Sequence, residues 1–217
     1  MNDEALLLLA NRAWATQLKD ERPDYFERQA ADQNPNFLWI GCSDSRVAPD
    51  QITNSPPGVM SIHRNVANLV HADDDNLMAV LQVALEKTKV SHIILCGHDG
   101  CGGVVHGMKR DATGAVAHWV RDIGELHDRH SAELQSIDES DRTNRMVEIN
   151  VREQLSRLAS LPLVQAAIGR GQNLTLHGWI YGLADGLLRV VTRLDTSEIS
   201  KGSKWAREPD GAKLAGG

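Results

Sequence analysis

Three cysteines, Cys42, Cys96 and Cys101, are too few and too odd in number for a disulfide framework. In a reducing compartment they point instead to metal ligation, nucleophilic chemistry or burial. No C-x-x-C pair is present, which removes a dithiol redox centre. The sequence has no dense Lys/Arg block and carries a formal net charge of −6, so the electrostatic footprint of a nucleic-acid binder is missing. An acidic total still leaves room for an anionic substrate in a locally positive pocket. The opening "MNDEALLLLANRAW" lacks a basic n-region, and its apolar run of about four residues is too short for a signal peptide or a spanning helix. The expectation is a cytoplasmic protein without membrane contact. There is no internal repeat and no low-complexity tract. With 217 residues and 41% hydrophobic content, one domain over 1–217 is the default reading.

Several short β-rich runs end at or just before polar, glycine-containing segments: "FLWIGCSD", "GVMSIHRN", "SHIILCGHDG" and "NLTLHGW". Near-continuous apolar runs of this kind suggest strands buried on both faces, as in a parallel sheet. Helical patterns lie between them. Asp73 to Thr88 has apolar positions at Leu77, Val80, Leu81, Ala84 and Leu85, acids in its first turn and Lys87 near its end, matching the helix dipole. Ala115 to Leu134 and Asp141 to Ser160 also read as helices. At the front, Leu6, Leu9, Ala10, Ala13 and Trp14 form one apolar stripe, and a second helix follows with Pro23 near its first turn. These make an N-terminal arm, 1–34, that packs on a partner subunit or on its own domain. The segment 195–217 reads as a polar, Gly-rich, flexible tail. The fold class is α/β, a mostly parallel central sheet flanked by helices, with ligands expected at the carboxyl ends of the strands.

Polar chemistry clusters at those ends. "GCSDSRV" places Cys42, Asp44 and Arg46 at alternate positions after an apolar run, and period-two strand geometry would point them to one side. "CGHDGCGG" sets His98 and Cys101 three apart after another run, in a glycine-rich loop able to bend tightly. Two thiolates and an imidazole are donor types that select Zn²⁺, and three protein ligands leave the open fourth position of a catalytic site. A competing reading makes His98 and Cys101 loop residues and Cys42 a buried thiol. Asp44 could ligate the metal or accept a hydrogen bond from whatever does, and Arg46 could hold it in a bidentate pair.

Together "FLWIGCSDSRV", "HRNVANLV", "HIILCGHDGCGG" and "HGWIYGLADGLLR" closely resemble the β-class carbonic anhydrases, from about residue 5 to about residue 191. The resemblance implies zinc on Cys42, His98 and Cys101, with Asp44 and Arg46 as the dyad that orients the attacking hydroxide. The implied reaction is reversible hydration of CO₂ to bicarbonate. It further implies substrate contacts at Gln33, Val66 and Gly102, Gln33 acting at a subunit interface, and a homodimer assembling to a tetramer. One subset of that class binds bicarbonate at a non-catalytic site of Trp, Arg and Tyr. The matching positions are Trp39, Arg64 and Tyr181, with Gly41 leaving space beside them. Binding there is associated with an inhibited, low-pH state in which Asp44 also ligates zinc.

Three positions depart from the class pattern: Ser61 and Val83 where aromatics are common, and Asp99 where Tyr is common. Asp99 is expected to face solvent, and His106 is a candidate for proton transfer. A thiol enzyme with Cys42 as nucleophile is a rival, although the phosphatase loop needs five residues between Cys and Arg and three stand here. Two others are a structural zinc site that adds Cys96 as a fourth ligand and a zinc hydrolase of another small electrophile.

Overall fold

The computed structural model describes residues 2–201 and divides into two units, residues up to Asn34 and residues from Pro35 onward. The first unit holds α1 (Asp3–Glu21) and α2 (Tyr25–Ala31). The Asn2 side chain caps α1 by accepting from the Ala5 N–H at 3.0 Å. Trp14 meets Phe26 edge-on at 5.6 Å. Leu6, Leu7, Leu8 and Leu9 all remain exposed.

The second unit runs β1 (Phe37–Cys42), α3 (Pro49–Ile52), β2 (Met60–Asn65), a 3₁₀ turn (Val66–Asn68), α4 (Asp75–Gln82), a π-helical turn (Val83–Lys87) and β3 (His92–His98). It continues through α5 (Gly102–Lys109), α6 (Gly114–Arg129), α7 (Ser131–Gln135), α8 (Glu139–Ser160), α9 (Pro162–Gly169), β4 (Thr175–Tyr181), β5 (Leu188–Leu194) and α10 (Thr196–Ser200). The sheet order is β2-β1-β3-β4-β5. The first four strands are parallel, as the apolar runs required, and β5 joins antiparallel at the edge. That edge strand was not expected. Its residues Arg189 and Val190 are exposed, so it lacks the buried run that marks the central strands.

Alternation along β1 and β3 sends Leu38, Ile40, Ile93 and Leu95 into the main core with Val147, Val151 and Leu155 of α8. The other face gathers Trp39, Ile94 and Cys96, with Phe37, Trp179 and Tyr181 packed against them. Helix α8 buries nine of its 22 residues, while α1 buries none of its 19. At about 1.5–3 kcal/mol per fully buried aliphatic side chain, α8 anchors the fold, whereas α1 contributes no fully buried side chain.

Two helices expected as single pieces are interrupted. The Asp73–Thr88 segment starts at Asp75, where the Asp74 carboxylate accepts from the Asn76 and Leu77 N–H groups, and ends in the π-helical turn. The Ala115–Leu134 segment breaks at His130, which leaves helical geometry between α6 and α7. The tail read from Asp195 begins with α10, closed by an Asp195–Glu198 capping box and anchored by buried Ile199. Residues 202–217 lie outside the described residues.

Candidate metal centre

Strands β1 and β3 end side by side, and Cys42 and His98 are their last residues. The loop after β3 returns to place Cys101 immediately before α5. The donor atoms of Cys42, His98 and Cys101 all lie within 4.8 Å of one another, and all three residues are buried. The two sulfurs are 3.8 Å apart, far beyond a disulfide bond. Two thiolates each about 2.3 Å from one tetrahedral ion would stand about 3.8 Å apart, so the observed spacing suits a shared Zn²⁺.

Electrostatics support the same fit. Without a cation the sulfurs cannot both ionise. Cys42 is drawn down because the Cys101 thiol donates to it, and the same pairing together with burial pushes Cys101 up. Backbone amides of Asp44 and Ala67 act on the Cys42 sulfur, and those of Gly103 and Val104, in the first turn of α5, act on Cys101. His98 Nδ1 lies 3.0 Å from the Asp99 carbonyl, which can only accept, so the proton sits on Nδ1. His98 Nε2 is left buried with no hydrogen-bond partner. Burial penalises a charged His98, yet the facing Cys42 sulfur and Asp44 carboxylate outweigh this and raise its pKa. A buried, unpartnered imidazole nitrogen beside two thiols is the donor set of a zinc site.

Asp44 and Arg46 meet for a different reason from the one expected. The strand stops at Cys42, so strand alternation does not extend to them. Instead the chain turns: the Arg46 N–H donates to Asp44 Oδ1 at 2.9 Å, and the Val47 N–H donates to the Asp44 carbonyl at 3.0 Å. The guanidinium then closes a bidentate pair, Nε to Oδ1 at 2.9 Å and Nη2 to Oδ2 at 2.7 Å. These bonds hold the Asp44 carboxyl well below the usual carboxylate range. Asp44 Oδ2 also lies 3.8 Å from His98 Nε2, at the edge of the donor cluster.

The other candidates are distributed as follows. Gly102 opens α5 with free space where a side chain would stand, and Val66 is exposed in the turn after β2. Gln33 belongs to the N-terminal unit, where its backbone N–H bonds the Asp32 carboxylate at 2.8 Å. Cys96 turns to the opposite face, donating to the Gly97 carbonyl at 3.2 Å, and is not among the clustered donors. Asp99 is not simply solvated: Arg189 donates to it at 2.6 Å, which ties the ligand loop to β5. His106 pairs with Asp111 at 2.7 Å on the exposed side of α5.

Trp39 and Gly41 lie on β1, Arg64 on the neighbouring β2, and Tyr181 on β4, with β3 between β1 and β4. The Trp39 indole lies over Gly41, where an added Cβ would sit 2.4 Å from Nε1. That Nε1 is buried without a hydrogen-bond partner. Gly41 is in register with Arg64, and Tyr181 packs in the Trp39 cluster. Arg64 donates from Nε to the Cys42 carbonyl at 2.9 Å and from Nη2 to the Asp44 carbonyl, so it touches the same turn that carries the dyad.

Several contributors were not foreseen: Ala67 and Asn68, both at positive φ, and the Trp119, Asn150 and Gln154 side chains that hold their segment. The i, i+4 pair of amides inside the apolar face of α8 was the signal available for the last two.

A fold with ligands at the carboxyl ends of parallel strands and a dithiolate–imidazole cluster beside an Asp–Arg pair defines a zinc enzyme. A family profile described as carbonic anhydrase matches residues 37–188. The carbonic anhydrase of Emericella nidulans is 39% identical over 181 residues, covering 83% of this chain and 79% of that one. Among solved structures, the Coccomyxa β-carbonic anhydrase superposes with a TM-score of 0.85 at 37% identity, covering 89% of each chain. A β-carbonic anhydrase of Sordaria macrospora, described as tetrameric, gives 0.82 at 35%, covering 88% of this chain and 97% of that one. The chain belongs to the carbonic anhydrase family, in its β class, and its cofactor is zinc.

Proposed function

We propose that this chain hydrates CO₂ reversibly with Asp44 and Arg46 as the orienting dyad and Cys42, His98 and Cys101 as the zinc ligands. The observation that carries this reading is the Asp44 carboxylate, held in a bidentate pair by Arg46 and standing beside the three converging donors. Zinc supplies the Lewis acidity that lets water lose a proton at moderate pH. Asp44, an acceptor only, takes the hydrogen bond of the nucleophilic oxygen and so fixes which lone pair meets CO₂. Arg46 keeps Asp44 aimed. Val66, and Gly102 directly after the ligand Cys101 with free space where a side chain would stand, are the substrate contacts in this reading. Stopped-flow CO₂ hydration against pH, with zinc content measured on the same sample, tests the reading. Activity is expected to rise toward alkaline pH, because thiolate donors weaken the metal as an acid. A zinc-loaded protein inactive at alkaline pH would overturn it.

Regulation by bicarbonate is the finer part of this proposal. Arg64 suits an oxyanion, and the unpartnered Trp39 Nε1–H is a donor awaiting an acceptor. An anion that draws Arg64 away would release the Cys42 and Asp44 carbonyls and loosen the turn that presents Asp44 to Arg46. Asp44, already 3.8 Å from His98 Nε2, then becomes available as a fourth zinc ligand. Inhibition that steepens with added bicarbonate as pH falls is expected, and Trp39→Ala should flatten it. An unchanged response in that variant would refute the pocket. The unburied stripe of α1 supports assembly on a second copy, as a dimer that brings Gln33 of one protomer toward the other's site and pairs into a tetramer. Sedimentation analysis tests this directly.

A further inference from the structure

The loop between β3 and α5 leads from one donor, His98, to another, Cys101, and is rich in glycine. Gly100 takes φ 62°, a Cβ there would meet nothing within 4 Å, and Gly102 and Gly103 follow Cys101 directly. Glycine loses more conformational freedom on ordering than any other residue, so a loop of this kind keeps one shape only where other elements hold it. Three contacts hold this one from outside. The Asp99 N–H donates to the Tyr181 carbonyl of β4 at 3.0 Å. The Gly100 N–H donates to Asn144 Oδ1 of α8 at 3.0 Å. Arg189 Nη2 of β5 donates to Asp99 Oδ1 at 2.6 Å.

Helix α8 is itself seated against the end of β3. A Cβ at Gly97 would stand 2.9 Å from Val151 Cγ2 and 3.1 Å from Val147 Cγ1, so the helix rests directly on the strand one residue before His98. Asn144 and Glu148 lie one turn apart on this helix, and Glu148 extends the support. Its Oε1 is 3.8 Å from Arg189 Nη1, and its Oε2 accepts from Arg145 Nη1 at 2.6 Å. Arg145 in turn donates from Nε to Glu133 of α7 at 2.6 Å. The Arg189 guanidinium is thereby set between carboxylates of the loop and of α8. Asn144 and Arg189 are exposed and Asp99 is half-buried, and ion pairs in such settings add little to global stability. Their action is local, on how often the loop opens. We propose that Asn144 and Arg189 are positioning residues that fix the Asp99–Gly100 segment, so that Cys101 stands ready beside Cys42 and His98 and the escape of a bound metal through loop opening is slowed. The inference rests on the zinc-site reading given above.

Asn144→Ala removes the acceptor of the Gly100 N–H, and Arg189→Gln removes the cation that holds Asp99. In zinc-loaded protein, amide hydrogen exchange at Gly100 should quicken about fivefold in Asn144→Ala and exchange at Asp99 about threefold in Arg189→Gln, with exchange in β3 and α8 unchanged. Zinc loss to a chelator should quicken by about the same factors. Arg189→Lys keeps the charge without the planar fork and should restore part of the zinc retention lost in Arg189→Gln. Asp99→Asn combined with Arg189→Gln should release zinc no faster than the worse of the two single variants, as two partners of one interaction require. Parental zinc release together with parental exchange at both amides in Asn144→Ala and Arg189→Gln would overturn the proposal. Exchange that rises equally throughout the sheet would overturn it too, because that reports general destabilisation. A parent protein that binds no Zn²⁺ would instead refute the metal-site reading. If Asn144→Ala fails to fold, Arg189→Gln with its lysine rescue and the double variant decides alone.

Discussion

Two histidines on neighbouring strands meet opposite surroundings. His98 ends β3, buried, with the Cys42 sulfur and the Asp44 carboxylate in front of its Nε2, and its pKa rises despite burial. His177 lies in the amino-terminal half of β4, where its Nε2 is 3.2 Å from His92 Nδ1 and Arg193 is its register partner on β5. There burial, His92 and Arg193 all act together, and the pKa falls to about 4. One side chain type thus serves as a donor poised for a cation at the carboxyl end of the sheet and as a neutral structural group toward the other. Two of the thiols make a parallel contrast: the neighbouring Cys101 thiol draws Cys42 down, whereas burial pushes Cys96 well up. Burial alone does not predict chemistry here; the hydrogen bonds and charges facing the buried atom decide it.

The largest effect that can break this comparison comes from exchanging the thiols separately. Cys42→Ser is expected to lose bound zinc and to lower CO₂ hydration at least about a thousandfold, because a hydroxyl is a poor soft donor. Cys96→Ser should keep both zinc and turnover within a few-fold, since Cys96 lies with Trp39 and Ile94 on the other face. Metal analysis and stopped-flow rates on both variants check this. Zinc loss in Cys96→Ser would return the structural site of three cysteines and one histidine to consideration.

The carboxyl end was more legible in the sequence than the rest of the site. Cys42, His98 and Cys101 stand beside strand-like apolar runs, and the topological rule for parallel sheets brings such ends together. The meeting of Asp44 with Arg46 was legible as a spacing but not as a geometry, because an Asx-type turn rather than strand alternation makes it. The bonds that hold the turn at Ala67 were not legible. Ala67 has no glycine to advertise its positive φ, and Asn150 reaches it across 83 residues of sequence. Strand β5 escaped because an edge strand half open to water lacks a continuous apolar run. Short polar bonds between distant segments leave little periodic trace, whereas buried strands and amphipathic helices leave a strong one.

The next effect in size isolates the dyad from the metal. Asp44→Asn keeps the size of the side chain but offers an amide in place of a permanent acceptor, and Arg46→Gln removes the bidentate partner that fixes the orientation of Asp44. Each should lower kcat by about a hundredfold with zinc content unchanged. A loss of zinc equal to that of Cys42→Ser would mean that the pair is structural, and the contrast between the two ends of the sheet would then rest on the ligands alone.

His177 supplies the smallest effect and tests the other side of the comparison. Its folded pKa, about 4, lies below the ordinary value of 6.5. Between those values the unfolded chain binds a proton that the native protein refuses, so stability present above pH 6.5 is lost as pH falls toward 4. The full shift would correspond to about 3 kcal/mol, but His177 is only partly buried, and solvent screening reduces the expected loss to about 1–2 kcal/mol. His177→Asn cannot take up the proton and should lose less stability than the parent between pH 7 and pH 5 in urea titrations. The neutral side chain leaves the His98 cluster untouched, so zinc content at pH 7 should match the parent. An identical pH dependence in the two proteins would mean that His92 and Arg193 do not keep His177 neutral, and that the contrast with His98 is one of exposure rather than of charge.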